Sequence, residues 1–236
     1  MIDIEDLVRK QIALYRAYDV RAEHAQRSGR GKEGKLTFGP YLLISREKGA
    51  GGSAVGHLAG ERLGWQVFDN EIVDAIAQKA NVRRELIESL DERDGKTIHG
   101  IVRGFLSPQP IRMAGYLAAL REIVLTLGHQ GNVVLVGRGA HHILPTQFGL
   151  RARMVAPLEM RTRRIASENK MSLKAAQLEI EKSDRERATL NRRFYGQDIT
   201  DPLNYDVIVN TAEVTVEAAT EIIVAAVRQK LALPPK

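Results

Sequence analysis

The residues that could do chemistry begin in the stretch 41–63, YLLISREKGAGGSAVGHLAGERL, which joins a short apolar run, a glycine-rich turn and a segment with helical periodicity. Backbone N–H groups exposed by the glycines and the positive end of the helix dipole both favour a bound anion. A strand, a tight turn and a helix in this order predict a phosphate-binding element. The protein is therefore expected to bind a nucleotide.

The turn departs from the ordinary P-loop pattern G-x-x-x-x-G-K-[ST]. Arg46 stands at the first glycine, Gly51 at the second, Gly52 at the lysine and Ser53 at the hydroxyl residue. The lysine that normally neutralises the β and γ phosphates is thus missing. Lys48 inside the loop, or Arg46 at its start, is the candidate to supply a cation instead.

Basic residues are concentrated in one part of the chain. The whole sequence carries a formal charge of +6. Residues 151–193 hold twelve Lys and Arg against six Asp and Glu, a difference that equals this whole excess. A local concentration favours a binding site for an anion over a uniformly basic surface, although a solvated amphipathic helix accounts for it as well.

Strand-like and helix-like segments alternate after residue 40. This alternation predicts an α/β fold with a parallel sheet and right-handed crossovers, so that ligands bind beyond the carboxyl ends of the strands. The strands are expected near residues 41–45, 65–68, 132–136, 150–156 and 206–209. The helices are expected at 53–63, 69–78, 81–90, 111–127, 157–169, 173–194 and 213–231, with Gly64, Gly128, Gly131 and Ser172 as boundary residues and a mobile loop at 91–110.

The first forty residues form a separate segment of the sequence. Apolar residues at helical spacing predict an amphipathic helix over 3–24, and the polar, glycine-rich stretch 27–39 predicts a flexible linker. The helix is expected to pack on the body of the protein or across a subunit interface, which would make a homodimer. Residues 41–232 are expected to form the remaining domain.

Composition excludes several classes of protein. There are no cysteines, so disulfides, thiolate zinc sites and cysteine nucleophiles are absent from this sequence. No apolar run is long enough for a membrane span, and residues 1–36 are too charged for a signal peptide, so a cytoplasmic protein without a membrane partner is expected. An aromatic content of 5% offers few stacking platforms for nucleic acid, which is therefore not the expected partner.

Six segments in the same order resemble the cytidylate kinase-like branch of the P-loop nucleoside monophosphate kinases. They are ISREKGAGGSAVG, FDNEIV, NVVLVGRGAHHIL, APLEMRTRRI, KSDRERA and DPLNYDVIVNT. The resemblance covers about residues 41–227 and implies a three-layer α/β sandwich with a five-stranded parallel sheet. It also implies a monophosphate-binding insertion at about 70–128 and a helical lid at about 168–200.

The resemblance implies phosphoryl transfer from ATP to CMP or dCMP with Mg²⁺ as cofactor. Gly49, Ala50, Gly51 and Gly52 would give cradle amides, and the hydroxyl of Ser53 would help to hold the metal. Ser53 has a second interpretation as a helix N-cap. The same S-R-E-x-G-x-G-G loop belongs to this branch of the family, so the missing lysine is a family trait.

Further site residues follow from the same resemblance. The arginine of the family's GRDIG block meets the substrate phosphate, which assigns that contact to Arg138, with Gly139 in place of the aspartate. Asp184 and Arg187 match the D-S-x-R of the lid, where Arg187 would contact phosphate and Asp184 would orient the cytosine or a neighbouring arginine. Arg164, on one helical face with Arg161, leads into the lid.

Other residues near these blocks have two interpretations or a structural one. Asp69 either contacts substrate or a magnesium-bound water, or only caps a helix. The pair His141 and His142 is not a metal site, because adjacent side chains of a strand point apart and no third ligand is evident.

Two other functions fit the same sequence. One is a catalytically silent nucleotide-binding regulator, which the altered loop and the apolar N-terminal helix favour. The other is a kinase of a different small metabolite.

Overall fold

A computed structural model describes residues 38–69 and 113–233. The chain divides into two compact units, Met1–Lys35 with Glu71–Thr126, and Leu36–Asn70 with Leu127–Lys236. The predicted N-terminal helix, the linker up to residue 37, the helices predicted between residues 70 and 90 and the loop 91–110 lie outside the described residues. Every candidate site residue belongs to the second unit, which is described below.

Five parallel strands form one sheet in the order β2-β3-β1-β4-β5. The strands are β1 Tyr41–Arg46, β2 Gln66–Phe68, β3 Val133–Val136, β4 Gly149–Val155 and β5 Val207–Asn210. Residues of β1 and β3 are buried throughout, as expected for central strands covered on both faces. The predicted α/β fold with a five-stranded parallel sheet is confirmed.

Helices follow the strands in turn. They are α1 Gly52–Leu63, α2 Met113–Gln130, α3 Ala140–Ile143, α4 Leu158–Glu168, α5 Leu173–Tyr195 and α6 Val216–Leu231, with single 3-10 turns at Thr146–Phe148 and Pro202–Asn204. Ser172 caps α5 as predicted, because its hydroxyl accepts a hydrogen bond from the N–H of Ala175 at 3.2 Å. Helix α6 begins later than predicted because Thr215, not a residue near Glu213, is its N-cap.

The main core lies between the sheet and the helices α1 and α6. Val55 and Ala59 of α1 and Ile223 of α6 pack with Ile44 and Val134 of the central strands, and all five are almost completely buried. Burial of these apolar side chains fixes α1 against the sheet. The N-terminus of α1 is thereby held at the carboxyl end of β1.

The prediction that Gly128 ends the preceding helix is wrong. Helix α2 continues to Gln130 and ends at Gly131, whose φ of 68° is left-handed. A Cβ at Gly128 would lie 2.5 Å from Leu144 Cδ2 and 3.2 Å from Phe38 Cδ1. Glycine is present there because neighbouring side chains approach the helix closely.

His141 and His142 lie on the short helix α3 and not on a strand. The expectation that their side chains point apart is wrong, since the two ring centroids are 3.9 Å from each other. Among residues 38–69 and 113–233 no group of three metal-ligating side chains was found. Within the same ranges, no helix has the length and apolarity needed to traverse a bilayer.

Candidate functional site

The glycine-rich loop joins β1 to α1 through two left-handed residues. Gly49 has a φ of 80° and Gly51 a φ of 75°, and the N–H of Ala50 donates to the carbonyl of Glu47 at 3.2 Å. Gly51 is the N-cap of α1 and no side chain caps this end. The alternative of Ser53 as the N-cap is therefore wrong, and its exposed position in the first turn leaves the metal-binding interpretation.

The loop has the shape required of a phosphate cradle. A Cβ on Gly49 would lie 3.1 Å from both Arg161 Cβ and Ile165 Cγ1, so only glycine allows the chain to turn this tightly against α4. The first N–H groups of a helix have no acceptor within it, and those of α1 follow directly on the turn. The residues present thus fit a bound anion.

Arg46 runs from the end of β1 across the base of this loop. Its side chain passes beside Gly52, where a Cβ would lie 2.5 Å from Arg46 Cβ and 2.9 Å from its Cγ. Its guanidinium ends against Gly137 at the end of β3, where a Cβ would collide with Nη1. Burial, followed by the charges of Arg187 and Arg138, lowers the pKa of Arg46 to about 10, and Asp69 acts in the opposite direction.

A cavity of about 260 Å³ opens at the carboxyl edge of β1 and β3. Three arginines, Arg46, Arg138 and Arg187, line it together with one carboxylate, that of Glu186, and the polar side chains of Ser45 and Asn191. Burial lowers the pKa of Arg187 as well, Asp184 acts in the opposite direction, and the like charge of Arg138 has a smaller lowering effect. Three guanidinium groups around one cavity favour a ligand with multiple negative charges.

Arg138 occupies a sharp turn after β3. Gly137, Arg138 and Gly139 all have positive φ, of 92°, 53° and 67°. The ring of Tyr195 closes over the turn, since a Cβ on Gly139 would lie 2.8 Å from its Cζ, and its hydroxyl donates to the carbonyl of Arg138 at 3.3 Å. A left-handed arginine costs about 1 kcal/mol of backbone strain, and such strain is common at ligand-binding positions.

Helix α5, which lies in the predicted lid, contacts the glycine-rich loop through Asp184. The carboxylate accepts hydrogen bonds from the backbone N–H of Lys48 at 2.9 Å, from Arg161 at 2.6 Å and from Arg187 at 3.3 Å. Arg187 also donates to the carbonyl of Arg46 at 3.2 Å. Of the two roles suggested for Asp184, these contacts match the orientation of neighbouring arginines.

Two arginines of helix α4 donate hydrogen bonds to carbonyl oxygens of the glycine-rich loop. Arg161 is buried and donates to the carbonyls of Ala156 at 2.8 Å and Lys48 at 3.1 Å. Arg164 donates to the carbonyl of Thr211 at 2.6 Å and to that of Gly49 at 3.4 Å. Both guanidinium groups thus bind main-chain oxygens at the outer side of the loop.

Lys48 and Asp69 are not among the residues that line the cavity, although the charge of Asp69 acts on Arg46. The ammonium of Lys48 forms an ion pair with Glu179 of α5 at 2.9 Å, with both side chains about one third exposed. Asp69 follows β2, and its carboxylate lies 3.9 Å from His57 Nε2. The helix that Asp69 was predicted to cap lies outside the described residues.

The sequence analysis missed Arg153 and its contacts with Ser45, Tyr205 and Glu47 near the cavity. Arg153 of β4 is 4% exposed and donates to Ser45 Oγ at 3.0 Å. Its guanidinium lies 5.5 Å from the ring centroid of Tyr205 and 3.8 Å from Glu47. The available signal was a strand, GLRARMV, in which Arg151 and Arg153 alternate with apolar residues. A charge that is buried in such a strand requires partners.

Comparison with known proteins agrees with the motifs. The sequence profile of the cytidylate kinase-like family matches residues 42–213. The cytidylate kinase of Sulfolobus acidocaldarius is 28% identical over 109 residues, 46% of this chain and 60% of that protein. The cytidylate kinase of Pyrococcus horikoshii is 31% identical over 98 residues, 42% of this chain and 50% of that protein. The chain thus spans between half and three fifths of the length of these curated relatives.

A solved structure shares the fold. An uncharacterized protein from Eubacterium ventriosum superposes with a TM-score of 0.61 at 18% identity, covering 79% of this chain and 97% of that one. The profile match extends from β1 through β5, and so includes the glycine-rich loop, the turn at Arg138 and the lid helix. On this match the chain belongs to the cytidylate kinase-like family.

Proposed function

We propose that the protein transfers the γ-phosphoryl group of ATP to a nucleoside monophosphate, with CMP or dCMP as the acceptor. The observation that carries the proposal is the meeting of two anion-binding elements at one edge of the sheet. The glycine-rich loop follows β1 and the Arg138 turn follows the neighbouring strand β3. The cavity beside the Arg138 turn is lined by Arg46, at the start of the loop, and by Arg138 and Arg187. The choice of cytosine rests on the named activity of the two curated relatives.

The transfer itself needs positioning and charge compensation more than acids or bases. An oxygen of the acceptor phosphate forms a bond to the γ-phosphorus while the bond to the β,γ-bridging oxygen breaks, and the leaving diphosphate takes the electron pair. In this proposal the loop amides of Gly49–Gly52 hold the donor phosphates, and Arg138 holds the acceptor phosphate. Arg187 brings a cation from the lid to the oxygens between them.

The cofactor proposed is Mg²⁺, which would neutralise part of the charge of the donor phosphates. Ser53 fits a ligand role because it stands in the first turn of α1 and makes no capping hydrogen bond. Closing of α5 over the loop would exclude water from the reacting groups. The 2.6 Å contact between Asp184 of α5 and Arg161 of α4 connects these two helices.

The proposal is tested by incubating the full chain with ATP, MgCl₂ and a panel of ribo- and deoxynucleoside monophosphates. Diphosphate formation from CMP or dCMP is expected. Arg138→Ala should raise the KM for the acceptor at least tenfold, whereas the control Arg163→Ala should not, since that side chain is 71% exposed and pairs with Glu159 of its own helix. Failure to form a diphosphate from any acceptor would exclude the proposal.

One observation favours a second candidate, a nucleotide-binding regulator without turnover. The loop has no lysine at position 52, and Lys48 is paired with Glu179 of the lid. Calorimetry would then detect binding of ATP or CMP while no product forms. ATP consumption only with an acceptor that is not a nucleotide would instead indicate a kinase of another small metabolite.

A further inference from the structure

Two positions of the phosphate loop differ from the ordinary pattern at once. Position 46 has an arginine where a glycine is normal, and position 52 has a glycine where a lysine is normal. In the folded protein these two residues are in direct contact. The two differences are therefore linked in space: a long basic side chain is present at position 46 and absent at position 52 beside it.

The contact leaves no room for both side chains. A Cβ at position 52 would lie 2.5 Å from Arg46 Cβ and 2.9 Å from Arg46 Cγ, closer than side-chain atoms normally approach. A lysine at position 52 would have to displace the aliphatic stem of Arg46. Glycine at 52 is thus the residue that an arginine at 46 requires.

The guanidinium of Arg46 extends from that contact to the wall between the two anion-binding elements. It ends against Gly137, where a Cβ would overlap Nη1, and it lines the same cavity as Arg138 and Arg187. The residue is 9% exposed. Glycines on two sides therefore leave space for the guanidinium at the cavity that Arg138 and Arg187 also line, where it can contact an anionic ligand.

Lys48 is less suited to this role in the described structure. Its ammonium lies 2.9 Å from Glu179 on the lid helix, and its carbonyl accepts from Arg161 at 3.1 Å. The cavity that contains the three arginines is not lined by Lys48.

We propose that positions 46 and 52 have exchanged the residue types of an ordinary P-loop. Arg46 takes the role of the P-loop lysine and supplies the cation for the transferring phosphoryl group, and Gly52 leaves space for its side chain. This inference rests on the proposed kinase function for its catalytic part. Its structural part, the mutual exclusion of side chains at 46 and 52, stands independently of turnover.

The structural part is tested by thermal unfolding without nucleotide. Gly52→Ala in the wild-type background should lower Tm by several degrees, because the new methyl meets the stem of Arg46. The same substitution in an Arg46→Gly background should have much less effect. Equal losses in both backgrounds would overturn the exchange.

The catalytic part is tested by restoring the ordinary pattern. Arg46→Gly should lower kcat at least a hundredfold, the typical loss for one preorganised charge-stabilising donor. The double variant Arg46→Gly with Gly52→Lys should regain at least tenfold of that loss, whereas Gly52→Lys alone should not improve on wild type. Wild-type turnover in Arg46→Gly, or no gain in the double variant, would overturn the role of Arg46.

Two further measurements keep the outcome decisive. If Arg46→Gly does not fold, Arg46→Met preserves the stem without the charge and should show the same loss of kcat. If the wild type phosphorylates no nucleotide, the proposed function fails, but the inference is still tested by calorimetry. Arg46→Met should then lose more affinity for a non-hydrolysable ATP analogue than for ADP. Equal losses of affinity for the two nucleotides would reject the role of Arg46.

Discussion

The carboxylate of Asp184 in the lid helix accepts a hydrogen bond from the backbone N–H of Lys48 in the phosphate loop at 2.9 Å. The same carboxylate binds the buried Arg161 at 2.6 Å. One acidic side chain therefore connects the lid, the loop and helix α4. The hydrogen bond from Arg187 to the carbonyl of Arg46 is a further contact between α5 and the loop.

Replacing Asp184 with asparagine should destabilise the protein by about 2 kcal/mol, because the buried guanidinium of Arg161 loses its nearest charged partner. Chemical denaturation measures the change. Glu159→Gln is the matched control, since Glu159 pairs with Arg163 on the exposed face of α4. This substitution should lower the free energy of unfolding by no more than about 0.5 kcal/mol. Equal effects of the two substitutions would contradict the structural role of Asp184.

The ion pair between Lys48 and Glu179 predicts the result of a charge exchange. Lys48→Glu alone should lower turnover about fivefold, because two carboxylates would then face each other across the lid contact, at a cost of about 1 kcal/mol. Adding Glu179→Lys should restore most of the rate. If the ammonium of Lys48 instead acts on the transferring phosphate, the double variant will remain as slow as the single one.

The strand, loop and helix of the site could be predicted because each has a local cause in the sequence. Glycines permit the left-handed turn at Gly49 and Gly51, and the hydroxyl of Ser172 caps its own helix. The pairing of Lys48 with Glu179 and the burial of Arg153 beside Ser45 depend on contacts between distant parts of the chain. Such contacts leave no periodic pattern, so the sequence predicted the loop and the candidate arginines but not the partners that hold them.

His141 predicts how stability responds to acid. Burial, with smaller effects of His142 and Arg153, lowers the pKa of His141 to about 3 from its usual 6.5. Below pH 6.5 this histidine binds a proton in the unfolded chain but not in the folded chain. Its contribution to the free energy of unfolding is therefore complete above pH 6.5 and is lost as the pH falls towards 3. At pH 5 the loss is about 2 kcal/mol relative to pH 7.

Denaturation at several pH values measures this loss. His141→Asn should flatten the dependence of unfolding free energy on pH between 7 and 5. Leu144→Ala is a suitable control, because Leu144 is buried just after the same short helix and does not titrate. That control should lower stability at every pH and keep the wild-type slope, and a slope unchanged in His141→Asn would reject the assignment.

Thr211 predicts a selective effect on the donor nucleotide. It is 1% exposed, and its hydroxyl donates to the carbonyl of Ala50 at 3.1 Å while accepting from Arg164 at 3.1 Å. Because the peptide unit is planar, fixing the carbonyl of Ala50 also fixes the direction of the N–H of Gly51. Thr211 is in this way a positioning residue for a cradle amide.

Thr211→Val keeps the shape of the side chain and removes the hydroxyl. The KM for ATP should rise about tenfold, the equivalent of about 1.4 kcal/mol, with little change in the KM for the acceptor. Thr211→Ser retains the hydroxyl and should restore ATP affinity. A variant in which both KM values rise together would indicate general loosening of the fold, because a misdirected loop amide weakens only the ligand that binds the loop.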